Sequence, residues 1–521
     1  MAAPSTDLSA ALVLAAPAIA DWLVVLPVVL MIGVGALLMM VRKSVRLHGT
    51  IAITGLVLLV LLDAALLMRV SIQGPVTMVM GRWLPPFGIA FTADLFGSLM
   101  ALVSAVVALA AGVFALRDID AAGRRYGFFP FLMLLMAGVS GAFLTGDIFN
   151  LYVWFEVLLI SSFGLLILGS EPEQIDGALK YAVLNLIGTT LFLIAVGYLY
   201  AIFGTLNMAD IAGKASGLRV TAPLVTLTAL FILAFAMKAA AFPVNFWLPA
   251  SYHTPRIVVS ALFGGLLTKV GIYALIRVTV MLFPVEREEL SFIVAISAAL
   301  TMVIGALGAL AQNDLRRLVG YVVIVGIGNM LAGVAIGTPA AVSGSILYAL
   351  HSVVTMTALY LVAGEAARLG GVWTLSALGG LYRGAPWFSA ASLTLFLAAA
   401  GLPPLSGLWP KLVLLKASLD IGAWWLAAAI LLSAFIVTMA LARVFLLAYW
   451  RPRSEPVLEI VPEPVTAIDW RIAWPLGCLT ALSILFGLFP ETVLDLSQRA
   501  AAGLAEPSAY IGSVFPGGAA P

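Results

Sequence analysis

The chain contains 521 residues, of which 63% are hydrophobic and only 10% are charged, and its mean hydropathy is +1.13. A soluble domain of ordinary composition carries about a quarter charged residues, so this composition excludes a soluble protein and indicates a polytopic membrane protein. The formal net charge of +2 gives no indication of a nucleic-acid partner.

The residues that support redox, metal or nucleotide chemistry are scarce. The single cysteine, Cys478, cannot form an internal disulfide or hold an iron–sulfur cluster. The histidines (His48, His253 and His351) are far apart and have no metal-ligand spacing, and the sequence has no G-x-x-x-x-G-K-[ST] phosphate-binding loop. A membrane-embedded enzyme would need a nucleophile–base set or a metal cluster, and neither pattern is visible. We therefore expect no metal, no cofactor and no enzymatic activity in this chain.

Apolar stretches of about 20 residues predict about fourteen transmembrane helices. No Lys or Arg precedes the apolar segment Leu8–Ala20, so we interpret this segment as a retained lead-in and not as a cleaved signal. The predicted spans are 22–41, 50–70, 94–116, 127–146, 148–168, 179–203, 222–249, 257–279, 291–312, 317–337, 340–367, 388–419, 423–447 and 472–490.

Basic residues are distributed unequally between alternate loops, which predicts the orientation. One set of loops carries Arg42, Lys43, Arg46, Arg117, Arg124, Arg125, Lys180, Arg256, Arg316, Arg317, Arg368, Arg383, Arg451, Arg453 and Arg471. The opposite set carries Arg69, Arg82, Lys214, Arg219, Arg287 and Arg499. The richer set is predicted to be cytoplasmic, and an even number of spans then places both termini outside the cytoplasm.

The second and fifth spans each contain an acidic residue. Asp63 precedes Arg69 by six residues, a spacing that does not predict a pair on one helix face. The fifth span begins at Asp147, which we interpret as a helix cap, and it holds Glu156 close to its middle. An intramembrane charge is costly unless it faces a partner or a hydrated cavity, so Glu156 is a candidate functional residue.

The seventh and eighth spans each contain a lysine. Lys238 precedes Pro243, which should break the seventh helix because proline removes a backbone donor and clashes with the preceding turn. His253 follows in a short loop and is a candidate proton-access group. Lys269 lies near the middle of the eighth span, and we interpret Arg277, near its end, as an interfacial anchor.

The eleventh and twelfth spans complete the set of candidates. His351 lies in mid-span, either as an ordinary core residue or as a group that titrates near physiological pH. Pro403 and Pro404 should break the twelfth helix, and Lys411 follows them. Lys416, toward the outer end of that span, is interpreted as a side chain that snorkels to water.

Broken helices at corresponding places in two halves of a chain indicate a transport site and an internal repeat. Such breaks are tolerated in a membrane where they are buried in protein or line a hydrated cavity. One carboxylate and three amines spread along the chain favour a charge relay over a single catalytic pocket. The spans offer few oxygen ligands for Na⁺, so we infer that this chain mainly conducts protons and that a partner carries Na⁺.

Four segments identify a family. They read GDIFNLYVWFEVLLISSFGLL, MKAAAFPVNFWLPASYHTPRIVVSALFGGLLTKVGIYALIR, QNDLRRLVGYVVIVGIGNML and AGLPPLSGLWPK. These segments resemble the antiporter-like subunits shared by Mrp-type Na⁺/H⁺ antiporters and respiratory complex I, and the D-type subunits most of all. The resemblance covers roughly residues 90–450.

The resemblance implies an all-α bundle of fourteen helices with two inverted five-helix repeats, each containing one discontinuous helix. It divides the chain into five regions. These are helices 1–2 with an outer loop (1–93), helix 3 with a cytoplasmic loop (94–126), the first repeat (127–279), the second repeat (291–447), and a loop, helix 14 and tail (448–521).

The resemblance also assigns roles to individual residues. Five positions match the family's proton-transfer groups: Glu156, Lys238, Lys269, His351 and Lys411. A Glu156–Lys238 pair would stay charged when paired, and on separation Lys238 would release its proton toward the other groups.

Two positions depart from the family's pattern. Many relatives have a lysine where this chain has Met356, so the relay here depends more on His351 and water. The related complex I subunit commonly has glutamate at the position of Lys411, and the lysine here favours the antiporter assignment.

The function implied is proton translocation within a multisubunit Na⁺/H⁺ antiporter of a bacterial plasma membrane. The expected partners are the other Mrp-type subunits (A/B-, C-, E-, F- and G-like), together with protons, Na⁺ and the lipid bilayer. The alternative is a proton-pumping subunit of a redox-driven complex, either a complex I-like NADH dehydrogenase or a membrane-bound hydrogenase. A stand-alone transporter would be distinguished by activity of the isolated chain.

Overall fold

The computed structural model of the protein describes residue 13 and residues 17–81, 83–452 and 469–516. Part of the predicted lead-in, Arg82 and Arg453 of the charge count, and both chain ends lie outside the described residues. Within the described ranges the chain is predominantly helical, as the composition predicts.

The helices follow one another with short connections. In chain order they are α1 (Leu26–Met40), α2 (Val45–Gln73), α3 (Leu95–Asp118), α4 (Ala121–Tyr126), α5 (Phe128–Leu144), α6 (Ile148–Leu166), α7 (Pro172–Phe203), α8 (Met208–Leu218), α9 (Leu224–Ala239), α10 (Trp247–Ser251), α11 (Ile257–Leu262), α12 (Thr268–Ile276), α13 (Pro284–Glu289), α14 (Ser291–Ala311), α15 (Leu315–Ile336), α16 (Pro339–Gly370), α17 (Leu381–Gly384), α18 (Pro386–Ala400), α19 (Leu408–Asp420), α20 (Trp424–Val444), α21 (Trp470–Leu488), α22 (Pro490–Ala505) and α23 (Ser508–Val514).

Other regular structure in the described ranges is limited to short segments. A 3₁₀-helix spans Ile19–Val24, and π-helical segments span Phe263–Leu267, Arg277–Leu282 and Phe445–Trp450. Strands β1 (Val76–Val79) and β2 (Ala90–Ala93) form an antiparallel hairpin between α2 and α3.

Ten helical segments of the described chain are long and apolar enough to cross a membrane. They are α2, α3, α6, α7, the continuous run Ile257–Leu282, α14, α15, α16, the run Trp424–Trp450 and α21. Four further apolar helices are shorter, namely α1, α5, α9 and α18. The chain is therefore a mostly helical polytopic membrane protein, and the β1–β2 hairpin departs from the all-α prediction.

Both predicted helix breaks are present, and they close in the same way. α9 ends before Ala240, which has φ 64°, and α18 ends before Gly401, which has φ 86°. In each case the next amide bonds back across the last turn: Ala241 N to Ala236 O at 2.9 Å, and Leu402 N to Leu397 O at 3.0 Å. This pattern satisfies the terminal carbonyls of a helix. α10 and α19 then resume beyond Pro243 and Pro404.

The loops of each predicted charge set lie together in space. In the richer set, Arg42 donates to the main-chain oxygen of Arg125 at 3.1 Å, and Arg117 lies 3.3 Å from Asp469. In the poorer set, Arg499 donates to the main-chain oxygen of Ser71 at 2.7 Å. These contacts join loops of the same predicted set, as alternating helices require.

The interior of the bundle is built around α16. All of the most apolar window of α16 is buried, and the same holds for the run Ile257–Leu282. α16 packs against α11, α15, α19, α21 and α22. The two most enclosed segments therefore carry Lys269 and His351, the central candidates of the sequence analysis.

Candidate functional site

Glu156 and Lys238 form the first part of the site. Glu156 is half-buried on α6, and Lys238 is the penultimate residue of α9, where it is buried. The Lys238 Nζ lies 5.6 Å from the centre of the Phe155 ring and has no hydrogen-bond partner in the described chain. Glu156 is within electrostatic range of this amine, yet the two do not form an ion pair within 4.0 Å.

Lys269 lies on α12, next to α9. Its side chain is fully buried, and its Nζ donates to the main-chain oxygen of Gly264 at 2.5 Å. Gly264 belongs to the π-helical segment, a local irregularity that is frequent at functional sites. α9 and α12 meet closely, because a Cβ at Gly271 would lie 3.0 Å from the Ala239 amide nitrogen. Lys238 and Lys269 therefore lie on helices in direct contact.

His351 lies in the middle of α16 and is held through one ring nitrogen. Its Nδ1 is 2.9 Å from the Ser406 Oγ and 3.2 Å from the Thr355 Oγ1, and its Nε2 has no partner among the described residues. Ser406, which lies in the break between α18 and α19, is also 2.8 Å from the Ser483 Oγ of α21. A Cβ at Gly407 would lie 3.1 Å from the imidazole, so the ring packs against the break itself.

Lys411 lies on α19 immediately after the second break. Its Nζ donates to the main-chain oxygens of Ala400 at 2.6 Å and Ala399 at 3.2 Å. These carbonyls end α18, and the C-terminal end of a helix carries partial negative charge. The amine of one half-helix is therefore held by the terminus of the other. His351 is within electrostatic range of both Lys411 and Lys269, so the three groups lie near one another inside the bundle.

Further polar groups without partners line the same region. Several buried side-chain oxygens have no hydrogen-bond partner among the described residues, and they lie on or beside α10, α11, α12 and α16: Ser251, Tyr252, Ser260, Thr268, Ser352 and Tyr360. Buried polar atoms of this kind are usually satisfied by ordered water. The arrangement can therefore support a hydrated path between the ionisable residues.

His253, the predicted access residue, lies beyond α10. Arg317 Nη2 is 3.0 Å from its Nε2, and its Nδ1 is 2.9 Å from the main-chain oxygen of Pro249. Because arginine can only donate, Nε2 must accept and Nδ1 must carry the proton. Burial and the Arg317 charge both lower the pKa of His253, which fits this neutral tautomer.

A charged cavity opens on the predicted cytoplasmic side, and the sequence analysis missed it. It has a volume of about 640 Å³, and its charged lining residues are Arg117, Asp118, Glu171, Glu173, Arg256, Arg316, Glu365 and Arg368. Glu365 lies on α16 and accepts hydrogen bonds from Arg368 at 2.5 and 2.8 Å. In the sequence, these basic residues indicated only which loops are cytoplasmic. They come together in one cavity because loops that are distant in the sequence pack against each other.

The prediction that Arg277 is an interfacial anchor is wrong. Its guanidinium is buried and binds both carboxylate oxygens of Asp94, at 2.5 and 2.8 Å, and also donates to the Tyr273 hydroxyl at 2.7 Å. The Tyr510 ring of α23 covers it at 5.5 Å. The partner is 183 positions away in the sequence, so the local pattern held no sign of it.

Two acidic residues outside the candidate set have clear structural descriptions. Asp147 caps α6 by accepting from the Asn150 amide at 2.7 Å, as predicted. Asp63 is buried, and neither carboxylate oxygen has a partner in the described ranges. Arg69 pairs instead with Asp21 at 2.6 Å, in agreement with the expectation that Asp63 and Arg69 do not pair.

Comparison with known proteins places these features in context. Residues 145–437 match the family described as NADH:quinone oxidoreductase/Mrp antiporter, TM. The D-type subunit of the Na(+)/H(+) antiporter from Alkalihalophilus pseudofirmus is 37% identical over 493 residues, which cover 95% of this chain and 99% of that protein.

Two solved structures are also similar along almost their whole length. A chain of the Mrp complex from Dietzia sp. DQ12-45-1b has a TM-score of 0.86 at 29% identity, covering 95% of this chain and 99% of that one. A chain of the membrane-bound sulfane sulfur reductase, an archaeal respiratory membrane complex, has a TM-score of 0.86 at 27% identity, covering 95% and 100%. The family match contains all five candidate ionisable residues and both helix breaks.

Proposed function

The chain belongs to the NADH:quinone oxidoreductase/Mrp antiporter membrane family, and from this premise we propose that it is the D-type subunit of a multisubunit Na⁺/H⁺ antiporter and translocates protons. The observation that carries the proposal is the enclosed cluster of Lys269, His351 and Lys411 beside a broken helix. Likeness to a D-type Na(+)/H(+) antiporter subunit over 95% of the chain supports it. The chain is a transporter subunit and not an enzyme.

The proposed relay runs from Glu156 through Lys238, Lys269 and His351 to Lys411. Lys238 is its free member, since its amine has no hydrogen-bond partner in the described chain. Lys269 and Lys411 each donate to main-chain carbonyls, which accept hydrogen bonds but do not take up protons. These carbonyls orient the amines, and the next titratable group or water receives the proton.

Lys238 lies between Glu156 on α6 and Lys269 on α12, and its protonation decides which of the two it approaches. A proton on Lys238 increases its attraction to Glu156, and loss of that proton removes the attraction. Protonation can therefore shift Lys238 between Glu156 on α6 and the Lys269 side of α12. His351, with Nδ1 held and Nε2 free of any partner in the described chain, then connects the amines of the two halves.

The proposed topology is that of the sequence analysis. The ten long segments, α1, α5, and the broken pairs α9–α10 and α18–α19 would supply fourteen crossings, with both termini outside the cytoplasm. The matching closure of the two breaks supports two inverted repeats at 127–279 and 291–447, flanked by the regions 1–93, 94–126 and 448–521. The charged cavity would be the cytoplasmic access, with His253 near its edge.

The second candidate function is proton pumping in a redox-driven complex. The likeness to the sulfane sulfur reductase chain, at the same TM-score of 0.86, favours it specifically. The same relay would serve both functions, and the driving partner would differ. The antiporter remains our proposal because the D-type antiporter relative is 37% identical.

Purification of the chain from native membranes in mild detergent, followed by mass spectrometry of bound proteins, tests the proposal. We expect A/B-, C-, E-, F- and G-like antiporter subunits, and Na⁺-dependent proton movement when the complex is returned to vesicles. Stoichiometric flavin or iron–sulfur proteins would overturn the antiporter assignment in favour of the redox-driven one. Transport by the isolated chain would contradict both.

A further inference from the structure

A cluster of five cations lies at one end of α1, α2 and α4, away from the proton-transfer groups. The cluster consists of Arg42, Lys43, Arg46, Arg124 and Arg125. None of the five has a carboxylate within 4.0 Å among the described residues, whereas eight of the fourteen other arginines in the described ranges form such pairs. This end of the molecule therefore concentrates positive charge without a direct ion pair in the described ranges, and the one carboxylate seen to act on it, Asp120 at the start of α4, reaches Arg124 only at longer range.

A groove runs from this cluster between α1 and α5. Its volume is about 350 Å³, and its apolar lining residues are Ile32, Gly35, Ala36, Leu38, Met39, Pro130, Phe131 and Leu134. The two helices meet at its floor, where a Cβ at Gly35 would lie 3.4 Å from the Met133 Cβ. From Ile32 to Met39 the groove extends about 10 Å along the helix axis. It is thus charged at one end and apolar along its length.

Main-chain carbonyls hold two of the guanidinium groups at the charged end, those of Arg42 and Arg124. Arg42 uses only its Nε, which donates to the Arg125 carbonyl at 3.1 Å, so its terminal nitrogens stay available. Arg124 donates to the carbonyls of Leu116 at 2.5 Å and Ile119 at 3.1 Å. His48 also lines the groove, and its buried Nδ1 has no partner among the described residues. Preoriented guanidinium groups match the oxygen geometry of a phosphate.

We propose that this groove binds one anionic phospholipid of the predicted cytoplasmic leaflet. Its phosphate would contact Arg42 and Arg125, and an acyl chain would lie along the α1–α5 groove over Ala36. Basic pockets between membrane helices on the cytoplasmic side are typical sites for anionic headgroups. Free phosphate would leave the apolar length of the groove unused. The site does not depend on which multisubunit complex contains the chain.

The test uses the intact complex purified from native membranes in mild detergent. Phospholipids that stay bound are quantified by mass spectrometry for the wild type, for the double variant Arg42→Gln/Arg125→Gln, and for Arg383→Gln. Arg383 is an exposed arginine of α17 outside the groove, and it is the matched control. Each sample is then titrated with phosphatidylglycerol, phosphatidylcholine or inorganic phosphate while thermal unfolding is followed.

We expect the wild type and Arg383→Gln to retain anionic phospholipid and to gain thermal stability with phosphatidylglycerol alone. The double variant should bind phosphatidylglycerol at least tenfold more weakly, a change of about 1.4 kcal/mol. Ala36→Trp provides a second variant, which fills the apolar length of the groove and leaves the arginines unchanged. It should lose the lipid while the complex still assembles, so the proposal stays testable even where the double variant fails to fold.

Three results would overturn the proposal. The first is equal phospholipid retention in the wild type and both groove variants. The second is stabilisation of the wild type by inorganic phosphate or by phosphatidylcholine as large as that by phosphatidylglycerol. The third is a crosslink from the groove to another subunit in native membranes, with no lipid retained, which would make the cluster a protein interface.

Discussion

The Nδ1 atom of His351 lies 2.9 Å from the Oγ of Ser406. This contact joins the middle of the buried helix α16 to the break between α18 and α19. Ser406 also bonds Ser483 of α21, so hydrogen bonds through Ser406 link α16, the break and α21. The proposed relay therefore depends on serine positions that do not themselves carry a charge.

Ser406→Ala should slow Na⁺/H⁺ exchange by about five- to tenfold, the equivalent of one hydrogen bond of about 1 kcal/mol. Without Ser406 the imidazole loses its orientation, so the pH profile of exchange should move as well. Ser406→Thr keeps the hydroxyl and should restore the profile. The measurement is Na⁺-dependent collapse of a pH gradient in inverted membrane vesicles.

The matched control for Ser406 is Ser389→Ala. Ser389 is also a buried serine of the same region, but its hydroxyl donates only to Ala385 of its own helix, at 2.9 Å. Its replacement should leave the rate and the pH profile unchanged. A rate and profile for Ser406→Ala equal to those of the wild type would show that the His351 contact does not matter for transport.

Glu156→Gln should reduce exchange to background while the complex still inserts and assembles. The substitution preserves the shape of the side chain and removes the charge that acts on Lys238. Glu289→Gln is the control, because Glu289 is an exposed carboxylate at the end of α13. Subunit recovery by affinity purification reports assembly, and vesicle assays report exchange. Normal exchange in the Glu156 variant would defeat the pair mechanism.

Lys238→Arg should abolish exchange although it preserves positive charge, because arginine does not release its proton in proteins. Stability should change less than activity, since the Lys238 amine makes no hydrogen bond to the described chain. Lys180→Arg, an exposed lysine paired with Asp176 at 2.5 Å, provides the control for the same chemical change. Full exchange by the Lys238 variant would show that its deprotonation is unnecessary.

Gly401→Ala should abolish most of the Na⁺/H⁺ exchange while it lowers the thermal midpoint of the complex only modestly. Gly401 has φ 86°, and a Cβ there would lie 2.6 Å from the Lys411 Cδ and 2.8 Å from its Nζ. Lys411 would have to leave the carbonyls of Ala399 and Ala400. The positive φ alone should cost about 1–2 kcal/mol.

Gly422→Ala separates these two effects. Gly422 has φ 73° and open space around it, so its replacement adds strain without crowding a relay residue. Both variants should lower the thermal midpoint of the complex, and only Gly401→Ala should lose exchange. Equal exchange in the two variants would rule out a role for the held position of Lys411.

Asp94→Asn should destabilise the complex by about 3–5 kcal/mol, because it leaves the buried Arg277 guanidinium without its counter-charge. Lys416→Gln breaks an exposed pair with Asp420 and should cost less than about 1 kcal/mol. Thermal unfolding of the two purified variants gives the comparison. A shift for Asp94→Asn no larger than that for Lys416→Gln would mean that the buried pair contributes nothing to stability.

The sequence was sufficient to locate the breaks, because Pro243 and Pro404 act on the backbone through local sterics alone. It also located Lys269 and His351, since a charge in an apolar span is visible without any partner. The sequence did not predict the partners of the Lys411 amine, because every residue has a main-chain carbonyl and the sequence does not indicate which of them accept its hydrogen bonds. The prediction for Arg277 was wrong for a related reason. Its position near a helix end can be read from the sequence, but its burial by α3 and α23 results from tertiary packing.

The burial of the whole apolar window of α16 has a consequence for biogenesis. The ribosome delivers His351 long before it delivers Ser406, which bonds the ring at Nδ1, and Ser483, which bonds Ser406. α11 and α15 are already made when α16 enters the bilayer, but the face of α16 that α19, α21 and α22 cover stays open until those helices follow. A nascent chain that stops short of Ser406 exposes this face to the membrane. Polar side chains exposed to lipid on α16 would allow membrane proteases to recognise an incomplete subunit.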